Sequence, residues 1–328
     1  MVMNILVTGG AGYVGSIVAE RLLQHGHGVF VLDNLQQGHM EAVPRGAEFV
    51  RGDIRDSESL GGIFNRSRID AVMHMAGETV VGCSMTDPKR HFEDNVGGGM
   101  SLLDTMVKHG VCRLVFSSSA AVYGEPRSVP IPEDHPQEPI NAYGESKLIF
   151  ERMLRWYGKA YDLKHISMRY FNAAGASQAR GENHDPESHL IPNVLKAAMN
   201  GGHPVLVFGT DYPTEDGTCV RDYVHVLDIA QAHILALQHI DRLAGNAYNL
   251  GNNRGCSVMD IVNTARKVSK RDIAVEFAPR RAGDPAVLLA SSSRARSDLG
   301  WQPEFPEAEA MVETAWRWLQ AHPNGYAG

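Results

Sequence analysis

The run Thr8-Gly9-Gly10-Ala11-Gly12-Tyr13-Val14-Gly15 stands between an apolar stretch at residues 4–7 and a helical one at 16–23. A chain passes from strand to helix in so few residues when the turn is nearly free of Cβ atoms, and the glycines at 9, 12 and 15 meet that need. The same lack of side chains lets backbone N–H groups approach a pyrophosphate, which then lies at the positive end of the helix. A second apolar run, 29–32, ends in Asp33 about 20 residues further on, where this kind of turn is partnered by an acid for the adenine ribose. A carboxylate there repels a 2′-phosphate, and Asn34, Leu35, Gln36 and Gln37 offer no arginine to hold one. The residues predict a dinucleotide cofactor, NAD rather than NADP.

At 328 residues the chain exceeds what one hydrophobic core usually serves, so a large domain with a smaller appended lobe is expected. Strand-like runs at 4–7, 29–32, 48–50, 71–75, 113–116 and 165–170 alternate with helical stretches at 16–24, 92–109 and 143–157. The last helix is expected to open after Asn141 as N-cap and to stop at Gly158. The alternation predicts an α/β fold, a Rossmann-type doubly wound parallel sheet over residues 1–171. From Asn172 the rhythm gives way to loops rich in Gly, Pro and acid. Residues 172–328 are therefore expected to form a smaller α/β substrate-binding lobe, with about 220–245 returning to the first domain.

Hydrophobic residues make up 43% and charged residues 21% of the chain, and no apolar stretch approaches the ~18–20 residues that span a bilayer. The first strand begins at once, leaving no room for a secretory signal, so a cytoplasmic protein without a membrane role is expected. Cys83, Cys112, Cys219 and Cys256 show no Cys-x-x-Cys spacing and read as reduced thiols. The 15 histidines show no His-Glu-x-x-His spacing, and no metal is predicted. A net charge of −7 with no basic run argues against nucleic acid as a partner.

Tyr143 and Lys147 stand four residues apart, on one face of a helix with Cβ atoms about 5–6 Å apart. A nearby ammonium and a positively charged nicotinamide both favour the phenolate, bringing a phenol that titrates near ~10 toward the range of a general base. Ser117-Ser118-Ser119 falls at the carboxyl end of the fifth strand, where open α/β sheets place their ligands. Spacing does not say which of the three hydroxyls faces the site.

With Gly9, Gly12 and Gly15, Asp33-Asn34, the three serines, Tyr143-x-x-x-Lys147 and Arg169-Tyr170-Phe171-Asn172 in this order, the chain resembles the extended short-chain dehydrogenase/reductase family. The likeness runs through nearly the whole chain and is strongest to the branch that epimerises UDP-hexoses at C4. Its most specific segments begin at Phe116, Ser188, Phe208 and Arg280. The resemblance implies that Ser119 bonds the sugar O4, with Tyr143 as base and Lys147 as its partner. For the cofactor it adds Tyr13, Val14, Asp53, Ile54, Ala76, Gly77, Asn95 and Tyr170 to the glycines, Asp33, Asn34 and Lys147. For a UDP-sugar it points to Asn172, Leu190, Val207, Phe208, Arg221, Tyr223, Arg281 and Asp284. It also implies a homodimer built on the 92–109 and 143–157 helices, with Met100, Leu103, Met106 and Val107 placed either at the partner or in the core.

Dehydratases and decarboxylases of this family carry an acid just after the serine position, whereas this chain has Ala120-Ala121. The implied reaction is reversible C4 epimerisation of UDP-galactose and UDP-glucose through a 4-keto sugar, with NAD tightly bound. The chain departs from some members at Met75–Thr79, where they place a cofactor-contacting lysine, and at Leu288, where they place a tyrosine beside the sugar. A smaller wall at Leu288 would admit an N-acetyl group, so UDP-N-acetylhexosamines, or UDP-glucuronate, are the alternative substrates. A non-catalytic NAD-binding protein is the reading from another class, against which the complete Ser/Tyr/Lys set stands.

Overall fold

In the computed structural model, which describes residues 2–201, 204–281 and 284–326, the apolar runs become strands. They are β1 (Asn4–Thr8), β2 (Gly28–Asp33), β3 (Glu48–Arg51), β4 (Ala71–His74), β5 (Arg113–Ser119), β6 (Lys164–Tyr170), β7 (Asn172–Ala174), β8 (Val205–Phe208), β9 (Val220–His225) and β10 (Ala247–Leu250). Seven of them form one sheet in the order β10-β6-β5-β4-β1-β2-β3, every pair parallel. Both faces are covered, so neighbouring residues on one strand enter different cores. Ile5 and Val7 pack with the helices Tyr13–Gln24 and Val226–Leu243, while Leu6 packs with Gly98–Lys108 and Ala142–Tyr161. Strand order reverses between β1 and β4, and a doubly wound sheet opens a crevice at that point.

The helix expected over 143–157 spans Ala142–Tyr161, with Asn141 capping it by accepting from Gly144 N at 2.8 Å. Gly158 does not stop it. A Cβ there would come 3.1 Å from the Leu163 carbonyl, so this glycine permits a close approach, and the helix ends instead at Asp162 with φ 56°. The stretch expected as one helix over 92–109 is a π-helical turn, Phe92–Gly97, followed by the α-helix Gly98–Lys108.

The chain leaves the first sheet after β6 and comes back to it. Helix Val226–Leu243 lies in the same core as helix Tyr13–Gln24, and β10 pairs with β6. The later strands are β11 (Gly255–Ser257), β12 (Val275–Ala278) and β13 (Val287–Leu288). β9 joins the two parts: it pairs with β7, β11 and β13 and runs directly into the returning helix, while β8 and β12 form a separate parallel pair. Helices Leu190–Asn200, Val258–Ser269 and Ala308–Ala321 enclose a second core around Ile191, Val194, Ile261, Val312 and Trp316. All four cysteines are free thiols, and among the described residues no helix is long and apolar enough to cross a membrane.

Candidate active site

A cavity of about 330 Å³ opens at the carboxyl ends of β1, β2, β4 and β5. Gly9, Gly12, Tyr13, Val14, Gly15, Asp33, Asn34, Asp53, Ile54, Ala76 and Gly77 line it, as do Ser119, Tyr143, Lys147, Tyr170 and Asn172. Gly9 adopts φ 70°, and a Cβ on it would stand 2.6 Å from Ala76 N; one on Gly15 would stand 2.1 Å from Gly9 O. Gly12 caps helix Tyr13–Gln24 without a side chain, and a Cβ on it would meet a single protein atom, Gly9 O at 3.4 Å. The first-turn amides are thus open to an anion, as a pyrophosphate requires.

Asp33 closes β2 with both oxygens engaged, Oδ2 accepting from Ala11 N at 3.0 Å and Oδ1 from Leu35 N at 2.8 Å. Burial raises its pKa, against those two amides. Each oxygen keeps a lone pair for a ribose hydroxyl. Asp53 accepts from Arg55 Nε and from Asn34 Nδ2, both at 2.9 Å, and the Arg55 bond is the main cause that holds its pKa at about 2. These groups fit an adenine dinucleotide: glycine amides for phosphate, one acid at the ribose, and a hydrogen-bonded Asn34–Asp53 pair beyond it.

The strand pleat answers the question of the serines. Ser117 and Ser119 line the cavity, while Ser118 points to the other side and donates to Glu151 Oε1 at 2.6 Å. Glu151 is locked in turn by Arg169, with bonds of 2.9 and 2.6 Å between side chains only 4% and 8% exposed. Ser117 Oγ is bonded to the Tyr170 hydroxyl. Ser119 Oγ accepts from Ala121 N at 3.1 Å and turns its hydroxyl to the Tyr143 phenol.

Lys147 reaches across from helix Ala142–Tyr161 to donate to Ser117 O at 3.1 Å, its Nζ 5.8 Å from the Tyr143 ring centre. Burial lowers its pKa to about 8. Burial also raises the Tyr143 phenol, with the Ser119 hydroxyl pulling the other way. The sequence reading expects the phenol to be lowered by the lysine ammonium and a positively charged nicotinamide together; in the protein alone burial is the larger influence on Tyr143.

Asn95 is buried outside the cavity wall. Its Oδ1 accepts from Glu78 N at 2.7 Å and its Nδ2 donates to Glu78 O and to Ser146 Oγ. A Cβ on Gly77, at φ 154°, would collide with that amide at 2.6 Å. Asn95 therefore shapes the 76–79 loop from beneath, and the π-helical turn that carries it is a common device at such sites. Arg90, on the short helix Pro88–His91, also lines the cavity and pairs with Glu78 at 2.6 Å. No spacing in the sequence connects Arg90 to Glu78, and only the fold makes them neighbours. His184 and His189, also unassigned from sequence, complete the wall on the second-lobe side.

The remaining residues expected at a UDP-sugar lie in the second lobe, off the cavity lining. Arg221 pairs with Asp284 at 2.9 Å, and its β9 position is in register with Leu288 on β13. The Arg281 guanidinium lies 3.9 Å from the Phe208 ring centre, and Asp284 N donates to Arg281 O at 3.3 Å. Arg221, Arg281, Asp284, Phe208 and Leu288 thus form one connected group. Val207, Tyr223 and Leu190 support it from within: the first two are buried, and Leu190 opens helix Leu190–Asn200 against the second core. Leu288 packs with Val122, Tyr123 and Phe171 behind the Ser119 turn.

The model of the NAD dependent epimerase/dehydratase family matches residues 5–251. The UDP-glucose 4-epimerase of Halalkalibacterium halodurans is 50% identical over 329 residues, covering 99% of this chain and 98% of that protein. The UDP-glucose 4-epimerase of Lacticaseibacillus casei is 48% identical, covering 99% of each chain. The crystal structure of UDP-glucose 4-epimerase from Brucella ovis in complex with NAD superposes with a TM-score of 0.92 at 44% identity, covering 96% of this chain and 97% of that one. With the cradle, the Ser/Tyr/Lys set and the doubly wound sheet, these likenesses establish that the chain belongs to the NAD dependent epimerase/dehydratase family.

Proposed function

We propose that this protein interconverts UDP-galactose and UDP-glucose by inverting C4 of the hexose, with NAD held throughout. The observation that carries the reading is the meeting of Ser119, Tyr143 and Lys147 on the wall of the glycine-lined cavity, beside Ala120-Ala121, which cannot act as acid or base. Residues 1–171 with the returning segment hold the cofactor, and 172–328 the UDP-sugar.

Gly9, Gly12, Gly15 and Asp33 would hold NAD, which would supply a reversible hydride acceptor for the hydrogen at C4. The chain does the rest. Tyr143 receives the O4 proton and later gives it back, so no proton is consumed over a cycle. Lys147 and the nicotinamide supply the positive charge that a buried phenolate needs. Ser119, on the cavity face of β5, holds O4 beside the phenol. Arg221 and Arg281, oriented by Asp284 and Phe208, take the diphosphate through guanidinium donors. Firm anchoring of the nucleotide with few sugar contacts leaves the 4-keto hexose free to present its other face.

The protein works in the cytoplasm as a homodimer in this reading. Leu103 and Met106 are fully buried within the chain, whereas Met100, Trp156 and Tyr161 stand exposed on the two helices proposed to pair.

Tyr143→Phe tests the assignment. It is expected to lower turnover of UDP-galactose by at least about 100-fold, the scale of a lost general base, while bound NAD, assayed after denaturation, stays near the wild-type amount. Turnover within a few-fold of wild type would remove Tyr143 from the chemistry.

A further inference from the structure

Outside the proposed chemistry, the segment between β7 and helix Leu190–Asn200 gathers two imidazoles and two carboxylates. One ligand atom from each of Glu182, His184, Glu187 and His189 falls within 4.8 Å of all the others. His184 Nδ1 lies 3.2 Å from Glu182 Oε1, and His189 Nδ1 contacts the same oxygen. Both Nδ1 atoms also face Glu187 Oε1, at 3.9 and 3.8 Å. A four-coordinate zinc with bonds of about 2.0–2.2 Å sets its donors roughly 3.3 Å apart, so enclosing one ion would open the His189–Glu182 contact and draw in the wider separations, which reach at most 4.8 Å.

Two further observations point to a ligand. The Glu187 side chain is 5% exposed, yet its Oε2 is buried without a hydrogen-bond partner; the nearest cation, Lys196 Nζ, stands 3.9 Å away. Glu187 Oε1 accepts from Ser188 N and His189 N at 2.9 and 3.0 Å, so Oε2 is the oxygen of this buried carboxylate that has no hydrogen bond of its own and has room for a closer positive partner than Lys196. The two imidazole rings are also stacked edge to face, with centres 5.5 Å apart. Each ring turns its Nδ1 to the same Glu182 oxygen, so a single ion placed there would take a donor from both imidazoles.

We infer that Glu182, His184, Glu187 and His189 form a site for one divalent transition-metal ion of the zinc class. Two imidazole nitrogens and two carboxylate oxygens suit zinc better than magnesium or calcium, which favour all-oxygen shells. His189, with its side chain 53% exposed, gives the ion a way in. The ion's work is to fasten this segment. His184 and His189 wall the cofactor cavity, His184 packs edge-on against Tyr13 of the glycine turn, and Asn183 O contacts His39 Nε2 at 2.9 Å. A metal at this point ties the second lobe to the turn that receives the pyrophosphate.

The test uses the full-length protein, dialysed against chelator, loaded with zinc alone and freed of unbound metal. Elemental analysis is expected to find about one zinc per chain, with a melting temperature a few degrees above that of the chelated protein. Cobalt loading is expected to give the visible bands of a four-coordinate ion. Glu187→Gln, which keeps the side-chain shape, is expected to weaken zinc at least about tenfold and to remove most of the thermal shift. His184→Ala with His189→Ala is expected to abolish both. Less than about a tenth of an equivalent in the wild type, or undiminished zinc in Glu187→Gln, would overturn the inference and leave the group as an ion-pair cluster.

Discussion

Replacing Lys147 by methionine is expected to stabilise the cofactor-free protein while destroying its activity. Lys147 is 3% exposed, its ammonium has one hydrogen bond, to Ser117 O, and burial lowers its pKa from the usual 10.5 to about 8. A drop of that size corresponds to roughly 3 kcal/mol of lost stability at neutral pH. Below pH 8 both the native and the unfolded lysine hold the proton, and the penalty is at full size. Between pH 8 and 10.5 the native lysine releases its proton while the unfolded one keeps it, so wild-type stability rises with pH. Above 10.5 both are neutral and the penalty is gone.

Methionine fills a similar volume without the charge, but it leaves Ser117 O unpaired at a cost of about 1 kcal/mol. The net gain is about 2 kcal/mol at pH 7, or about 3 °C in melting temperature for a chain of 328 residues. Paired thermal scans of wild type and Lys147→Met, stripped of NAD, at pH 7 and pH 10 measure it. The gap is expected to shrink at the higher pH. A Lys147→Met protein less stable than wild type at pH 7, or a gap that widens with pH, would refute the argument that the protein tolerates a desolvated ammonium for the sake of its reaction.

Two further outcomes are expected. Glu151→Gln leaves the Arg169 guanidinium buried without its counter-charge and is expected to cost about 3–5 kcal/mol, read as a lower urea midpoint; a change under 1 kcal/mol would mean that water or Glu133 takes over the pairing. Leu288→Tyr adds a ring behind the Ser119 turn and is expected to lower turnover of UDP-N-acetylgalactosamine at least about tenfold relative to UDP-galactose; an unchanged ratio of the two rates would take Leu288 out of substrate selection.

The parallel sheet and its glycine turn were legible in the sequence because their signals are local. Gly9, Gly12 and Gly15 answer to a turn whose geometry excludes Cβ atoms, Asp33 follows at a fixed reach, and Tyr143 and Lys147 share a helix face by periodicity alone. The hydroxyl facing the site among Ser117–Ser119 was not legible from spacing, because the pleat direction is set by what lies on each side of β5. The buried Glu151–Arg169 pair claims Ser118 and leaves Ser119 to the cavity, as the family resemblance implies. Gly158 misled as a stop because glycine also serves close packing, here against Leu163. Arg90 at Glu78, and the joining of Glu182 and Glu187 with two histidines, depend on how distant or irregular segments fold together, for which periodicity offers no signal.

The central claim is tested most directly by giving the purified protein UDP-galactose with no NAD added and following UDP-glucose, with bound cofactor assayed after denaturation. Steady conversion over many turnovers with close to one NAD released per chain is the predicted result. Conversion only in proportion to added NAD would contradict a cofactor held and regenerated in place, and no conversion even with NAD supplied would contradict the epimerase reading itself.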